Sequence, residues 1–157
     1  MSDESDDLLL FCDRAVREMG DILLSLGDQL ANDRPDLAGA NSPYAILNHC
    51  LGVIEYWIGA VVVGRPDHRD RDAEFTASGP VAPLVARSRE ALARLHDDVA
   101  DLDLGAAVEG GPRKPWMPTD RPFTRRAALV HVLEELVQHH GHMELTRDIL
   151  LAREVSN

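Results

Sequence analysis

Leu9, Cys12, Val16, Met19, Leu23, Leu26 and Leu30 recur at alternating intervals of three and four residues. That spacing lines one face of an α-helix, with Arg and Asp around it, so the pattern predicts an amphipathic helix over 6–32. Asn32 to Pro35 ends it, and Cys12, a seam position, reads as core. A second helix begins at Ser42, a natural N-cap, with Pro43 at the first helical position, and runs to about Gly64. Ile46, Leu47, Leu51, Val53, Ile54, Tyr56, Trp57, Ile58, Val61 and Val62 leave it almost no polar face, which predicts burial on most sides. His49 is embedded there, one turn from Ile46 and Val53. No apolar run is expected to approach the ~18 residues that a membrane helix needs.

The stretch Gly64 to Gly79 is polar, with Arg65, Asp67, His68, Arg69, Asp70, Arg71 and Asp72, and is predicted as a surface loop that exposes His68. Pro80 restarts a helix to about Asp101, with a seam of Val81, Leu84, Ser88, Leu92, Leu95 and Val99. Residues 105–123 carry too many Gly and Pro to be helical throughout. Long ordered connections are often functional. Trp116, the large apolar residue of this one, is expected to plug the end of the fold or line a pocket. The last helix opens at Thr124 and runs to about Arg153, with a seam of Leu129, Val132, Leu136, His139, Met143, Thr146 and Leu150. Four helices with no convincing strand predict an all-α fold, a four-helix bundle formed by residues 1–157 as one domain.

Composition narrows the picture. Apolar residues make up 45% of the 157 residues but aromatics only 4%, so the core must rest on Leu, Val, Ile and Ala, which suits helices. The net charge is −11, and no basic patch or arm is present, so nucleic acid is not an expected partner. Asp3, Glu4, Asp6 and Asp7 read as a solvated start to the first helix. Cys12 and Cys50 are too few for a disulfide framework. With no signal peptide or membrane span expected, the default compartment is the cytoplasm.

The candidate chemistry lies on the second and last helices. His139 stands in a seam position where Leu or Ile is expected, and Glu135, one turn earlier, shares its helix face. An i, i+4 pair can converge on one ion without distorting the backbone, and imidazole with carboxylate suits zinc and also nickel, iron or manganese. A third ligand must come from another helix, and His49 is the best candidate. A buried histidine satisfied by hydrogen bonds is the commoner use of such a position, so spacing alone does not decide. His131, Glu135 and His139 form an i, i+4, i+8 row, which leaves His131 open as a ligand. His140 lies ~100° round the helix, outside the site. The same rotation separates Cys50 from His49, and Cys50 reads as core. Asn48, Glu134 and His142 are candidates to orient the imidazoles.

The segments His49-Cys50-Leu51-Gly52-Val53-Ile54-Glu55-Tyr56-Trp57 and Glu134-Glu135-Leu136-Val137-Gln138-His139-His140-Gly141-His142 resemble the two signatures of the DinB-like superfamily. Within it they are most similar to the actinobacterial branch related to mycothiol-dependent maleylpyruvate isomerase. The resemblance implies an up-down-down-up four-helix bundle with a metal ion near one end, bound by His49, Glu135 and His139. It implies thiol-transferase chemistry, in which a low-molecular-weight thiol of the mycothiol type binds as its thiolate and attacks an electrophilic carbon. Relatives often form homodimers, and the seam of the first helix can serve either the core or a partner. Arg113, Lys114 and Trp116, in the loop before the last helix, are candidates to contact the thiol's sugar head, with His142 nearby. The second domain of the isomerase has no counterpart here, which argues against isomerase activity itself. The competing expectations are a metal-dependent hydrolase using activated water, and a bundle or binding module that the metal only stabilises.

Overall fold

The computed structural model describes residues 3–155, with side chains over 5–153; the side chains of Asp3 and Glu4, part of the acidic start, lie outside the described residues. Helix α1 spans Asp3–Leu30 and α2 spans Pro43–Ile54, which passes directly into a π-helical segment over Glu55–Val62. A single turn, α3, covers Arg71–Glu74; α4 spans Val81–Ala100 and α5 spans Arg125–Val155. Among the described residues no β-strand forms, only an isolated antiparallel bridge between Ala107 and Thr124. The expected all-helical class therefore holds.

The heptad-like seams are the core. Leu9, Cys12, Val16, Met19, Leu23 and Leu26 of α1 are buried, as are Leu129, Val132, Leu136, Met143 and Leu150 of α5. Helix α1 packs on α5 and α4, and α2 packs on the same two from the other side. Helix α2 starts as its sequence predicts, with the Ser42 hydroxyl accepting from the Ala45 amide and Pro43 in the first turn. Thr124 Oγ1 accepts from the Ala127 amide at 3.1 Å and opens α5. Helix α4 has no such cap of its own, because Pro80 precedes it. Asp28 of α1 supplies one, accepting from the Val81 amide at 2.8 Å. Gly27, at φ 70° and ψ 175°, breaks the helical path of α1 just before Asp28 and makes this reach possible.

Three expectations need correction. The run Pro43–Val62 is 20 residues with mean hydropathy 1.5, long and apolar enough to cross a membrane, contrary to the sequence estimate. Asn48, His49 and Glu55 interrupt the run, but too sparsely to lower its mean hydropathy below that of a spanning helix. Most of this run is buried against α1, α4 and α5, so the fold already covers its apolar surface. Secondly, the second helix is not α-helical to Gly64. Its last eight residues are π-helical, and Arg65 folds back over Gly59, where a Cβ would meet its guanidinium. Arg65 is held there by Asp98 of α4 at 2.6 and 2.8 Å and by Glu55 at 3.1 Å. Finally, the polar stretch 64–79 is not simply a surface loop. His68 is exposed as expected, but the segment also forms α3 and buries Glu74.

Candidate metal centre

His49, Glu135 and His139 come together where α2 meets α5. One ligand atom from each lies within 4.8 Å of the other two. Glu135 Oε2 is 3.8 Å from His49 Nε2 and 3.6 Å from His139 Nε2. Two atoms each ~2 Å from a tetrahedral ion sit about 3.4 Å apart, so small rotations bring these groups into range. The donor set of two imidazoles and one carboxylate is that of a site with an open coordination position. The neighbouring imidazoles, His139 first and then His49, hold the pKa of Glu135 far below the ordinary carboxylate range, so it is an anion ready to ligate.

The surroundings of the three are unequal. The side chain of His49 is 3% exposed, whereas those of Glu135 and His139 are 30% and 23% exposed. The His49 ring lies flat on Phe75, with centroids 4.6 Å apart, and meets the ring of His139 edge-on at 4.8 Å. Its Nδ1 is 2.8 Å from Glu74 Oε2. Glu74 is buried and gripped by Arg69, whose Nε and Nη2 donate to its two oxygens at 2.7 and 2.9 Å. Arg69 in turn lies over the ring of Tyr56 at 5.5 Å.

Local sequence explains how a polar stretch delivers a buried carboxylate. Asp67 accepts from the Arg69 amide at 2.9 Å, and Asp70 caps α3 by accepting from the Ala73 amide at 3.0 Å. These two turns aim Glu74 and Phe75 at His49. The signal for Glu74 was present only as an Asp70 cap four residues before it, and nothing in the spacing pointed to α2.

A cavity of about 340 Å³ opens over His49 and Glu135, lined among others by Tyr56, Trp57, Arg69, Lys114, Trp116 and His131. Trp116 both lines it and stacks against His131, with centroids 4.4 Å apart, while 52% of the residue remains exposed. The edge of Trp57 packs on His131 at 4.9 Å. His131 is 3.9 Å from Glu135 but also 3.2 Å from Glu134, and falls outside the three-residue cluster.

The other expected residues divide. Lys114 reaches the cavity, but Arg113 is exposed and is not among its lining residues. His142 is exposed, its ring 6.1 Å from that of His139, and burial followed by the His139 charge lowers its pKa. Asn48 accepts from Arg87 and Glu134 pairs with His131, so neither orients His49; Glu74 does. His140 turns towards Glu18 of α1, 3.5 Å away. Cys50 is fully buried, with Sγ 3.9 Å from the sulfur of Met19, and burial raises its pKa.

A conserved protein from Enterococcus faecalis has a solved structure similar to this one, with a TM-score of 0.73 and 18% sequence identity over 97% of this chain and 99% of that one. At that identity the likeness shows the fold alone. No curated protein matches the chain significantly. Residues 7–151 match the family model described as mycothiol-S-transferase.

Proposed function

Starting from the fact that this chain belongs to the mycothiol-S-transferase family, we propose that it transfers a low-molecular-weight thiol of the mycothiol type onto an electrophilic carbon, using a divalent metal held by His49, Glu135 and His139. The observation that carries this reading is the convergence of two imidazoles and an ionised carboxylate, with His49 and Glu135 opening onto a cavity that Tyr56, Trp57 and Trp116 also line. Zinc suits the donor set best, with nickel, iron and manganese next. A divalent ion supplies a Lewis acid there that lowers the pKa of a coordinating thiol from about 8.5, so that the sulfur is nucleophilic at neutral pH.

The chain's own residues do the rest. His49 and His139 present neutral nitrogens, and Glu135 offsets part of the cation's charge. Tyr56, Trp57 and Trp116 offer flat aromatic surfaces to a substrate, and Arg69, Arg71 and Lys114 give the same cavity positive charge. In the reaction the thiol gives up its proton to solvent, a carbon–sulfur bond forms, and the carbon–leaving-group bond breaks with its electron pair going to the leaving group. We assign contact with the body of the thiol to Trp116 and Lys114, which line the cavity, and also to Arg113 and His142. We take the architecture as an up-down-down-up four-helix bundle, one domain over 1–157. We also take the protein as cytoplasmic and able to form a homodimer.

The test has two arms. Protein purified without a histidine tag is assayed for metal, and the metal-loaded protein is offered an alkylating electrophile with mycothiol, bacillithiol or glutathione. The proposal expects one divalent ion per chain and conjugation fastest with mycothiol. A bound ion with no conjugation of any of the three thiols would favour the hydrolase or the metal-stabilised bundle instead.

A further inference from the structure

We infer that Glu74, clamped by Arg69, is a positioning residue that fixes the His49 ring so that its Nε2 presents a lone pair to Glu135 and His139. This rests on the reading of those three residues as ligands. A neutral imidazole carries one proton, on either nitrogen, and the partner of one nitrogen decides what the other can do. At 2.8 Å the Glu74 carboxylate can only accept, so Nδ1 is the donor; Arg69 Nη2, 3.4 Å from the same nitrogen, is the weaker contact and already donates to Glu74. Nε2 is then bare, and it is Nε2 that lies 3.8 Å from Glu135.

Glu74 lies on the far side of the His49 ring from that cluster, so it orients a ligand without competing to be one. A buried carboxylate needs a strong partner, and Arg69 supplies two hydrogen bonds and the balancing charge. The fork leaves Glu74 no freedom to swing away. Phe75, the next residue, closes one ring face and Val53 follows one turn on, so His49 is held by its edge and its face together. Metal-ligating histidines are commonly tied to a carboxylate through the second nitrogen, and losing the tie typically costs 10–100-fold in metal affinity.

The experiment reads the tautomer directly. Long-range ¹⁵N–¹H NMR of the metal-free full chain distinguishes Nδ1–H from Nε2–H at His49, and chelator competition then gives zinc affinity for wild type, Glu74→Gln, Glu74→Ala and Arg69→Met. Expected are an Nδ1–H tautomer in wild type and zinc affinity roughly 10–100-fold weaker in Glu74→Ala. Glu74→Gln, whose amide oxygen can still accept, should keep the tautomer and bind more tightly than Glu74→Ala. An Nε2–H tautomer in wild type would overturn the inference without recourse to any variant. So would unchanged zinc affinity in folded Glu74→Ala. Wild type with the Nδ1–H tautomer but no affinity for any divalent ion would sink the metal reading and leave Glu74's hold on the ring standing.

Discussion

Gly52 and Glu74 are in contact through the one atom that Gly52 lacks: a Cβ there would fall on Glu74 Oε1, with Arg69 close behind. In the middle of an exposed helix, Gly→Ala gains up to about 1 kcal/mol from backbone entropy. Here the sign should reverse. Gly52→Ala is expected to lose about 1–3 kcal/mol, because the buried Glu74–Arg69 pair must separate or shift. Denaturant unfolding measures this, and His49 should lose its fixed ring orientation in the same variant. A stabilised Gly52→Ala would mean that Glu74 is not held where it is described.

His139→Ala and Glu135→Gln each remove one of three converging groups. Both variants should stay folded, since these side chains are partly exposed and the buried seam around them is untouched. Each should lose stoichiometric metal, measured by elemental analysis after dialysis. Retention of one ion per chain in His139→Ala would shift attention to His131.

Trp116 is half in solvent, so Trp116→Ala should change fold stability by less than about 1 kcal/mol. Its ring should nevertheless matter to a bound substrate. A lost aromatic contact of about 1 kcal/mol corresponds to roughly fivefold in KM, with kcat changing less. Steady-state kinetics against both thiol and electrophile would identify which one the ring touches.

The two thiols of the chain itself should be inert. Cys12 is fully buried, and burial together with the Asp13 charge pushes its pKa up to about 12. A thiol whose folded pKa is raised stabilises the fold below its unfolded value of about 8.5, and this contribution is lost as pH rises towards 12. Wild type should therefore lose stability between about pH 9 and 11 more steeply than Cys12→Ala does. At pH 8 mass spectrometry should find no alkylation of Cys12 or Cys50 in the folded protein and full alkylation in denaturant. Conjugates formed in a transferase assay then come from added thiol.

Asp28 caps α4 from another helix, so Asp28→Ala should cost about 1 kcal/mol, or about 2–4 °C in Tm. Thermal unfolding by circular dichroism checks it.

The parts of the fold legible in the sequence were those set by periodicity. The α1 and α5 seams, the Ser42 and Thr124 caps, and His49 buried in an apolar helix all follow from local pattern, and the i, i+4 pair of Glu135 and His139 follows from helix geometry. What escaped depends on contacts between segments far apart in sequence. Glu74 looks like any acid in a charged run, because what buries it is a glycine 22 positions earlier and an arginine that folds onto it. The π-helical segment is followed by Arg65, which reaches Asp98 of α4, a pairing that no window of sequence contains. Arg113 and Lys114 are adjacent and chemically alike, and the sequence does not distinguish them, although Lys114 alone of the two lines the cavity.

The unequal burial of the three converging groups sets the order in which they can be disturbed. His49 is anchored in the interior, while Glu135 and His139 are partly open to solvent on α5. An ion gripped this way is seated against an immovable back wall and unfastened from the front. Exchange with a competing chelator should proceed in the intact protein, far faster than the helices themselves come apart.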